Sequence, residues 1–467
     1  MVMHAFHSDR VRVVSSHRMS GATATPQGRH GQERMEPQRR VIILAIVALS
    51  LLPRVVIFAR DPSRLGDDVD DYDRLAWAIS YRGCFGYGCW GPEPTARRPP
   101  LYPIVLAAVN RFVDFLGGDL VWGFTGRALF HALCGASTAI LAWLIARRLG
   151  AGDWSPLAGV LVAVDPLLVH QSRLVMTETL AALLLAAAIE RLCCTHEAFT
   201  AKRACTAGLL LGLGMLCRTT SWAFALLVGA ATAALTDVCG RRRWRHGILV
   251  VAIALAVQLP WGVRNLLALG RPILTTTHGG YTLLLANNDV FYDEVLHGPL
   301  GTAWSMESLS EWQGSVADRA EAAGVGGEVR YDRYCYQLAW QTIRSRPFDF
   351  LHSVVHRVVS FWRAFPHAID SFPWPIRLGC AAIYVPEFLL MMIAMAQRSV
   401  WRWPLVLLPT ALVSFTLVHS IYWSDMRMRA PIMPAIAVLA ALGARRTWEF
   451  LGRRMARPAT QVGKALP

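Results

Sequence analysis

"VIILAIVALSLLPRVVIFARDPSRLGDDVDDY", residues 41–72, joins a nearly unbroken apolar run to a cluster of carboxylates. A helix needs about 20 apolar residues to cross the hydrocarbon core of a bilayer. The run 41–59 supplies that length, with Pro53 and Arg54 marking the expected position of a kink. Arg39 and Arg40 place its start on the cytoplasmic side, because Lys and Arg are retained there. The chain then emerges at Arg60 and Asp61, and Asp67, Asp68, Asp70 and Asp71 lie just outside the membrane, with Asp73 behind Tyr72. Two readings of that acid density stay open on the residues alone. It is either a solvated helix N-terminus, where acids oppose the positive end of the dipole, or a group of carboxylates crowded for chemistry, which raises at least one pKa.

Composition extends the membrane reading to the whole chain. Of 467 residues 54% are hydrophobic and only 17% charged, below the quarter expected of a soluble domain. Seventeen Trp and 18 Phe suit the aromatic belts at bilayer surfaces. The formal charge of +15 does not indicate nucleic acid, since the basic residues punctuate apolar segments and no nucleic-acid motif is present. The ten Cys form no CxxC pair; Cys84 and Cys89 are a candidate outer disulfide, paired or free, while Cys193 and Cys194 belong to a cytoplasmic helix end and stay reduced. The polar, Arg-rich residues 1–40 read as a flexible cytoplasmic tail rather than a cleaved leader.

The apolar segments predict an all-α polytopic protein with about ten spans, in a range of nine to 13. Residues 41–265 form a transmembrane core that carries a long outer loop, 60–120, in which "PPLYPIVLAAVNRFV" is too short to span and lies at the interface. Spans follow at 122–146, 156–170 and 176–192. Residues 204–236 hold two short spans joined near Arg218, and a further span covers 247–265. Residues 266–376 are an outer segment, polar over 266–350 and ending in an amphipathic interfacial helix at 351–365. Spans at 377–396 and 402–420 and a last one from "IMPAIAVLAALG" complete 377–445, leaving 446–467 as a basic cytoplasmic tail.

Six motifs then stand in order: Asp67 and Asp68 with Tyr72, Ala76 and Gly83; "RRPPLYPIVLA", 97–107; "SRLVMTETL", 172–180; "GLGMLCRTT", 212–220; "LPWGVRNLLALGRPILTTTHGGYTLLLANN", 259–288; and "SDMRMRAPIMP", 424–434. Together they resemble the GT-C membrane glycosyltransferases related to dolichyl-phosphate-mannose protein mannosyltransferases and the bacterial aminoarabinose transferase (family 39-like). The resemblance runs from about 41 to 445, and departs from the family at the opening, where a single acid pair is expanded into a cluster.

The resemblance implies a GT-C-like fold and an enzyme of the cytoplasmic (inner) membrane with its active site facing the periplasm or outside. It implies inverting transfer of a sugar from a polyprenyl-phosphate donor to a lipid, glycan or protein acceptor. Such chemistry needs a base for the acceptor and cations for the leaving phosphate. Asp68, four residues before Tyr72, is the expected base, with Asp67 and Asp71 as runners-up and Glu178 in support, although Glu178 also reads as a helix N-terminal acid. Arg97, Arg98, Arg173, Arg218, Arg264, Arg427 and Arg429 are the phosphate candidates, each open to the alternative of snorkelling at the interface. Tyr72, Tyr102, Asn265, Asn287 and Asn288 are expected to meet sugar or acceptor. A divalent cation on Asp68, Glu178 or His278 is an open expectation, with no ligand spacing behind it. Two other functions compete: a transporter or flippase of a lipid-linked glycan, and a non-catalytic assembly subunit.

Overall fold

The computed structural model describes residues 27–61, 64–65, 67–87, 93–118, 120–197, 200–234, 243–299, 302–367 and 372–455. Cys89 lies outside them, and with it the expected pairing to Cys84. The chain divides into two units, residues 1–44 and 45–467. The first contributes the start of helix α1 (Gln27–Arg60), where Val41 and Leu44 are exposed as lipid-facing side chains are.

Among the described residues of the second unit the regular elements are helices, joined by turns and loops, apart from an isolated bridge between Gly86 and Pro94. After α1 come α2 (Tyr72–Arg82), α3 (Leu101–Phe115), α4 (Leu120–Arg148), α5 (Ser155–Val164), α6 (Pro166–Gln171) and α7 (Glu178–Glu197). Helices α8 (Ala201–Cys217), α9 (Ser221–Ala234), α10 (Arg243–Ala256) and α11 (Leu259–Leu269) follow. The outer segment comprises α12 (Gly279–Ala286), α13 (Asp289–Phe291, running into a π turn), α14 (Met306–Ala322), α15 (Glu328–Ser345) and α16 (Pro347–Phe361). The chain ends with α17 (Trp374–Met395), α18 (Leu407–Ile421), a 3-10 turn at Met426–Ile432 and α19 (Met433–Met455).

Among the described residues six helical stretches are long and apolar enough to cross a membrane: Pro37–Arg60, Trp122–Arg148, Gly152–Gln171, Gly247–Leu269, Trp374–Met395 and Met426–Arg453. The chain is a multi-pass membrane protein, but this is fewer than the ten spans its apolar runs predict. The reason is helix length: α8, α9 and α18, where spans were expected, run 17, 14 and 15 residues. Arg218, at φ −150° and ψ 124°, separates α8 from α9 where the sequence placed a join between two short spans. Asp165 turns the backbone extended between α5 and α6 within the Gly152–Gln171 stretch and caps α6 by accepting from the Leu168 N–H at 2.7 Å. Helices α3 and α16, at 15 residues each, are too short to be counted among the six.

Close packing sets the frame. Gly208 and Gly212 are four apart on α8, and a Cβ on either would run into the backbone carbonyls of Val250 and Ala254 on α10, the small-residue contact that lets membrane helices approach. Helix α19 packs on α17, α5 and α4, and α7 packs on α8, α4 and the 426–432 turn. A buried cluster of Tyr72, Tyr102, Leu106, Cys134, Met176, Leu180 and Cys217 ties α2, α3, α4, α7 and α8 together directly beneath the acidic loop. A separate cluster around Leu283, Leu284, Trp312, Val316, Cys335 and Ala339 holds α12, α14 and α15 as a small cap.

Candidate functional site

The acidic loop is held, residue by residue. Asp67 pairs with Arg64 at 3.0 Å in the open. Asp68 turns back onto α2: Oδ1 accepts from the Asp73 N–H at 3.0 Å and Oδ2 from the Arg74 N–H at 2.8 Å, which satisfies two orphan donors of the first turn. Asp70 is gripped twice by Arg98, whose Nε donates to its carbonyl and Nη2 to its carboxylate, both at 2.8 Å. Asp73 lies 2.5 Å from Nη2 of Arg127, whose Nη1 donates to the Leu65 carbonyl at 2.9 Å. Asp71 is the exception. Its φ of 62° is the one positive value among described non-glycine residues, and no described hydrogen bond or ion pair reaches its carboxylate. Strain of this kind persists only where surrounding structure enforces it; here the clamped acids on both sides do so.

Burial raises the Asp68 carboxyl above its ordinary value, the backbone hydrogen bonds from Arg74 and Asp73 oppose this, and the charges of Asp73 and Asp71 add to the rise. A carboxylate so placed takes a proton more readily than a free aspartate. The requirement that Asp68 also cap a helix was not legible in a spacing argument.

Below the loop Tyr72 is buried, edge-on to Tyr102 at 5.3 Å, with the Arg98 guanidinium 5.6 Å over its ring. The Tyr102 hydroxyl meets His131 Nε2 at 3.0 Å, while His131 Nδ1 faces the Ser172 carbonyl at 2.6 Å. A carbonyl only accepts, so Nδ1 carries a hydrogen, and neutral His131 accepts from Tyr102 through Nε2.

Glu178 sits deepest, fully buried at the first position of α7. Arg218 Nη1 lies 3.1 Å and Arg427 Nε 3.6 Å from its Oε1. These are charge contacts without hydrogen-bond alignment: no donor is aimed at either Glu178 oxygen, and Nε of both arginines lacks an acceptor. Arg218 also donates to Thr177 Oγ1 at 2.9 Å and reaches Met428 Sδ at 2.7 Å. Arg427 stands 3.9 Å from Asp425. The extended backbone at Arg218, enforced by the α8–α9 break, is what carries this side chain into the cluster. Burial pushes the Tyr72 hydroxyl pKa up; Arg98 and Arg218 oppose the shift while Asp70 and Glu178 reinforce it, so one electrostatic neighbourhood spans both layers.

The other expected residues fall elsewhere. Arg97 is exposed beside the loop, and Arg173 is half-buried at the rim, its pKa lowered first by burial and then by Arg64. Arg264 donates to the Thr95, Phe85 and Asn265 oxygens and stacks 5.4 Å from Phe85 and 5.2 Å from Trp261, which commits it to fastening the outer loop to α11. The amides of Asn265, Asn287 and Asn288 are spent on backbone: Asn265 on Ile273, Asn287 on Leu283 and Ile421, Asn288 on Leu284 and on the Phe291 N–H that it caps. Arg429 is fully buried and engages the Phe361 and Arg363 carbonyls, away from Glu178. His278 stacks on Tyr281 at 4.9 Å, and burial holds it well below the usual histidine pKa. Asp68, Glu178 and His278 do not converge: among the described residues no three His, Cys, Asp or Glu side chains are grouped as metal ligands. Sequence reasoning missed Arg127, Thr177 and Asp425. An Arg inside an apolar span was the available signal for the first.

Residues 98–263 match the profile of the dolichyl-phosphate-mannose-protein mannosyltransferase family. No curated protein sequence matches the chain. Among solved structures it is similar to the oligosaccharyltransferase AglB of Archaeoglobus fulgidus, determined with an inhibitory peptide and dolichol-phosphate. There the identity is 14%, the TM-score 0.50, and the match covers 92% of this chain and 53% of that one. The chain thus spans about half the length of that relative. It is also similar to ArnT of Cupriavidus metallidurans, bound to undecaprenyl phosphate, at 15% identity and TM-score 0.42, covering 90% of this chain and 81% of the other. The fold is that of the GT-C glycosyltransferases.

Proposed function

We propose that this protein transfers a sugar, with inversion, from a polyprenyl-phosphate-linked donor to a lipid, glycan or protein acceptor at the outer face of the cytoplasmic membrane. The observation that carries the reading is the cluster in which partly exposed Arg218 and Arg427 flank buried Glu178, close to a loop of positioned carboxylates. Two guanidiniums with unspent N–H groups suit a phosphate, because Arg donates in a fixed fork and is not lost to deprotonation. The archaeal relative's bound dolichol-phosphate agrees with such a donor.

On this reading the donor phosphate lies against Arg218 and Arg427, with Arg98 above. Asp68 accepts the proton of an acceptor hydroxyl, or orients an acceptor amine, as the bond to the anomeric carbon forms. The bond to the phosphate oxygen breaks, and the charge that develops there is met by guanidiniums that need not reorganise. Phosphate departs without protonation, so one carboxylate suffices, unlike the pair of a glycosidase. Glu178 holds the two arginines in register and keeps them from repelling each other. No step is routed through a metal.

Purified protein in nanodiscs, supplied with polyprenyl-phosphate sugars and envelope acceptors, should release polyprenyl phosphate and label an acceptor. Arg218→Gln should weaken transfer by roughly 10–100-fold, the order of one or two charge-assisted hydrogen bonds. Absence of transfer from every donor tested, with flux of a lipid-linked glycan across proteoliposomes instead, would replace this reading by the transporter.

A further inference from the structure

Arg427 and Arg429 stand two residues apart on the turn Met426–Ile432, yet they serve different places. Arg427 faces Glu178, and Met428 between them meets Arg218. Arg429 runs the other way, into a buried polar knot. Its Nη1 donates to the Phe361 carbonyl at 2.6 Å and the Arg363 carbonyl at 2.9 Å, at the end of α16. Its guanidinium lies 5.0 Å from the rings of both Tyr384 and Phe388 on α17. The Tyr384 hydroxyl donates to Asp165 at 3.2 Å and accepts from the Leu167 N–H at 3.0 Å, which joins the knot to the start of α6. Glu387, buried on the same helix, supplies a second carboxylate, one oxygen of which has no hydrogen-bond partner.

The arrangement is costly. A charge in the protein interior must be compensated, and removing one partner of a buried pair destabilises far more than removing both. The 3-10 turn itself carries Pro431, which cannot donate into a helical ladder, so its shape depends on what its side chains grip. Arg429 is the side chain that ties the turn to the end of α16 through Nη1 and to the aromatic face of α17, while its Nε and Nη2 have no hydrogen-bond partner.

We propose that Arg429 is a positioning residue: by anchoring the turn to α16 and α17, with Tyr384 in turn held by Asp165, it sets where Arg427 and Met428 meet Glu178 and Arg218. This rests on the reading of the Glu178 cluster as the donor-phosphate site. Asp165, Tyr384 and Glu387 are its supporting residues, and none of them touches the donor.

Two variants test it. Arg429→Lys keeps the charge but loses the fork and the flat stacking face. The double variant Arg429→Met with Glu387→Leu removes the buried cation and a buried acid of the same knot together, so that the net charge of the knot is unchanged. Each is measured by Tm, by hydrogen exchange of the backbone at 426–428, and by the Kd for decaprenyl phosphate in nanodiscs, beside Arg427→Gln. Both Arg429 variants should exchange faster at the turn and bind decaprenyl phosphate roughly tenfold more weakly, and the double variant should do so with a Tm near the parent's. Arg427→Gln should weaken binding without faster exchange. Parental exchange and parental Kd in a folded Arg429 variant would overturn the proposal, as would a Tm loss with both unchanged, which marks a merely structural role. If the parent itself fails to bind decaprenyl phosphate, the donor-site reading fails, while the exchange measurement still decides whether Arg429 anchors the turn.

Discussion

Asp68 does two jobs that a single substitution separates. Its carboxylate caps α2 through the Asp73 and Arg74 N–H groups, and burial raises its pKa. A raised folded-state pKa means that ionisation weakens the fold: the favourable contribution is complete below the unfolded value of about 3.9 and is lost as pH rises through the folded value. Asparagine keeps an acceptor oxygen and sheds the charge. At neutral pH, Asp68→Asn should therefore hold or raise the Tm while lowering transfer by about 10²–10⁴-fold, the usual worth of a general base. The acid limb of the parent's kcat/KM profile should lie above the ordinary aspartate pKa, and it should vanish in the variant. A variant that keeps both rate and acid limb removes Asp68 from the chemistry and passes the role to Asp71, whose strained backbone and unengaged carboxylate make it the next residue to replace.

At the scale of elements, the outer cap is keyed to the loop before α3. Glu328, opening α15, accepts from Thr95 Oγ1 at 2.5 Å and from the Ala96 N–H at 2.8 Å, and the Thr277 N–H donates to the Ala96 carbonyl at 2.9 Å. Helix α12 then lies against α15 with no room for a side chain at Gly280, where a Cβ would meet the Asp332 carbonyl and the Tyr336 ring. Gly280→Ala should cost about 1–3 kcal/mol, the range for overpacking a tight contact, and lower the Tm of the detergent-solubilised protein. Gly314→Ala is the contrast. It lies inside α14 with open space around it, so alanine should stabilise by about 0.5–1 kcal/mol through helix propensity alone. Equal melting temperatures for the two variants would contradict the packing of α12 on α15.

At the scale of the molecule, the bias of Lys and Arg toward the cytoplasm predicts an orientation. Arg147 and Arg148 end α4, and Arg445 and Arg446 stand within α19, so these ends are expected inside, and the carboxylates of the loop and the polar cap on the opposite side. In a chain with its native reactive thiols replaced, a membrane-impermeant thiol reagent applied to intact cells should label Gln313→Cys. It should reach Arg446→Cys only after permeabilisation. The reverse pattern would invert the topology and remove the active site from the outer face.

The sequence by itself determined the class of the protein and the neighbourhood of its chemistry. Apolar runs of bilayer length, basic punctuation and the ordered motifs lead to a GT-C-like helical membrane fold, and they put Asp68, Glu178, Arg218 and Arg427 among a wider set of four carboxylates and seven arginines, because motif and local charge are one-dimensional properties. The tertiary structure decided which candidates meet. Arg264, Asn265, Asn287 and Asn288 looked equally functional on paper, but they are engaged by other groups of the chain, while Arg429 spends Nη1 on the Phe361 and Arg363 carbonyls. Arg127 looked like part of an apolar span and proves to hold the loop through Asp73. The break between α8 and α9 delivered the Arg218 guanidinium to Glu178. A buried polar group is free for a ligand only if the fold leaves it without a partner. Partners come from distant sequence, so that question is answered by packing alone.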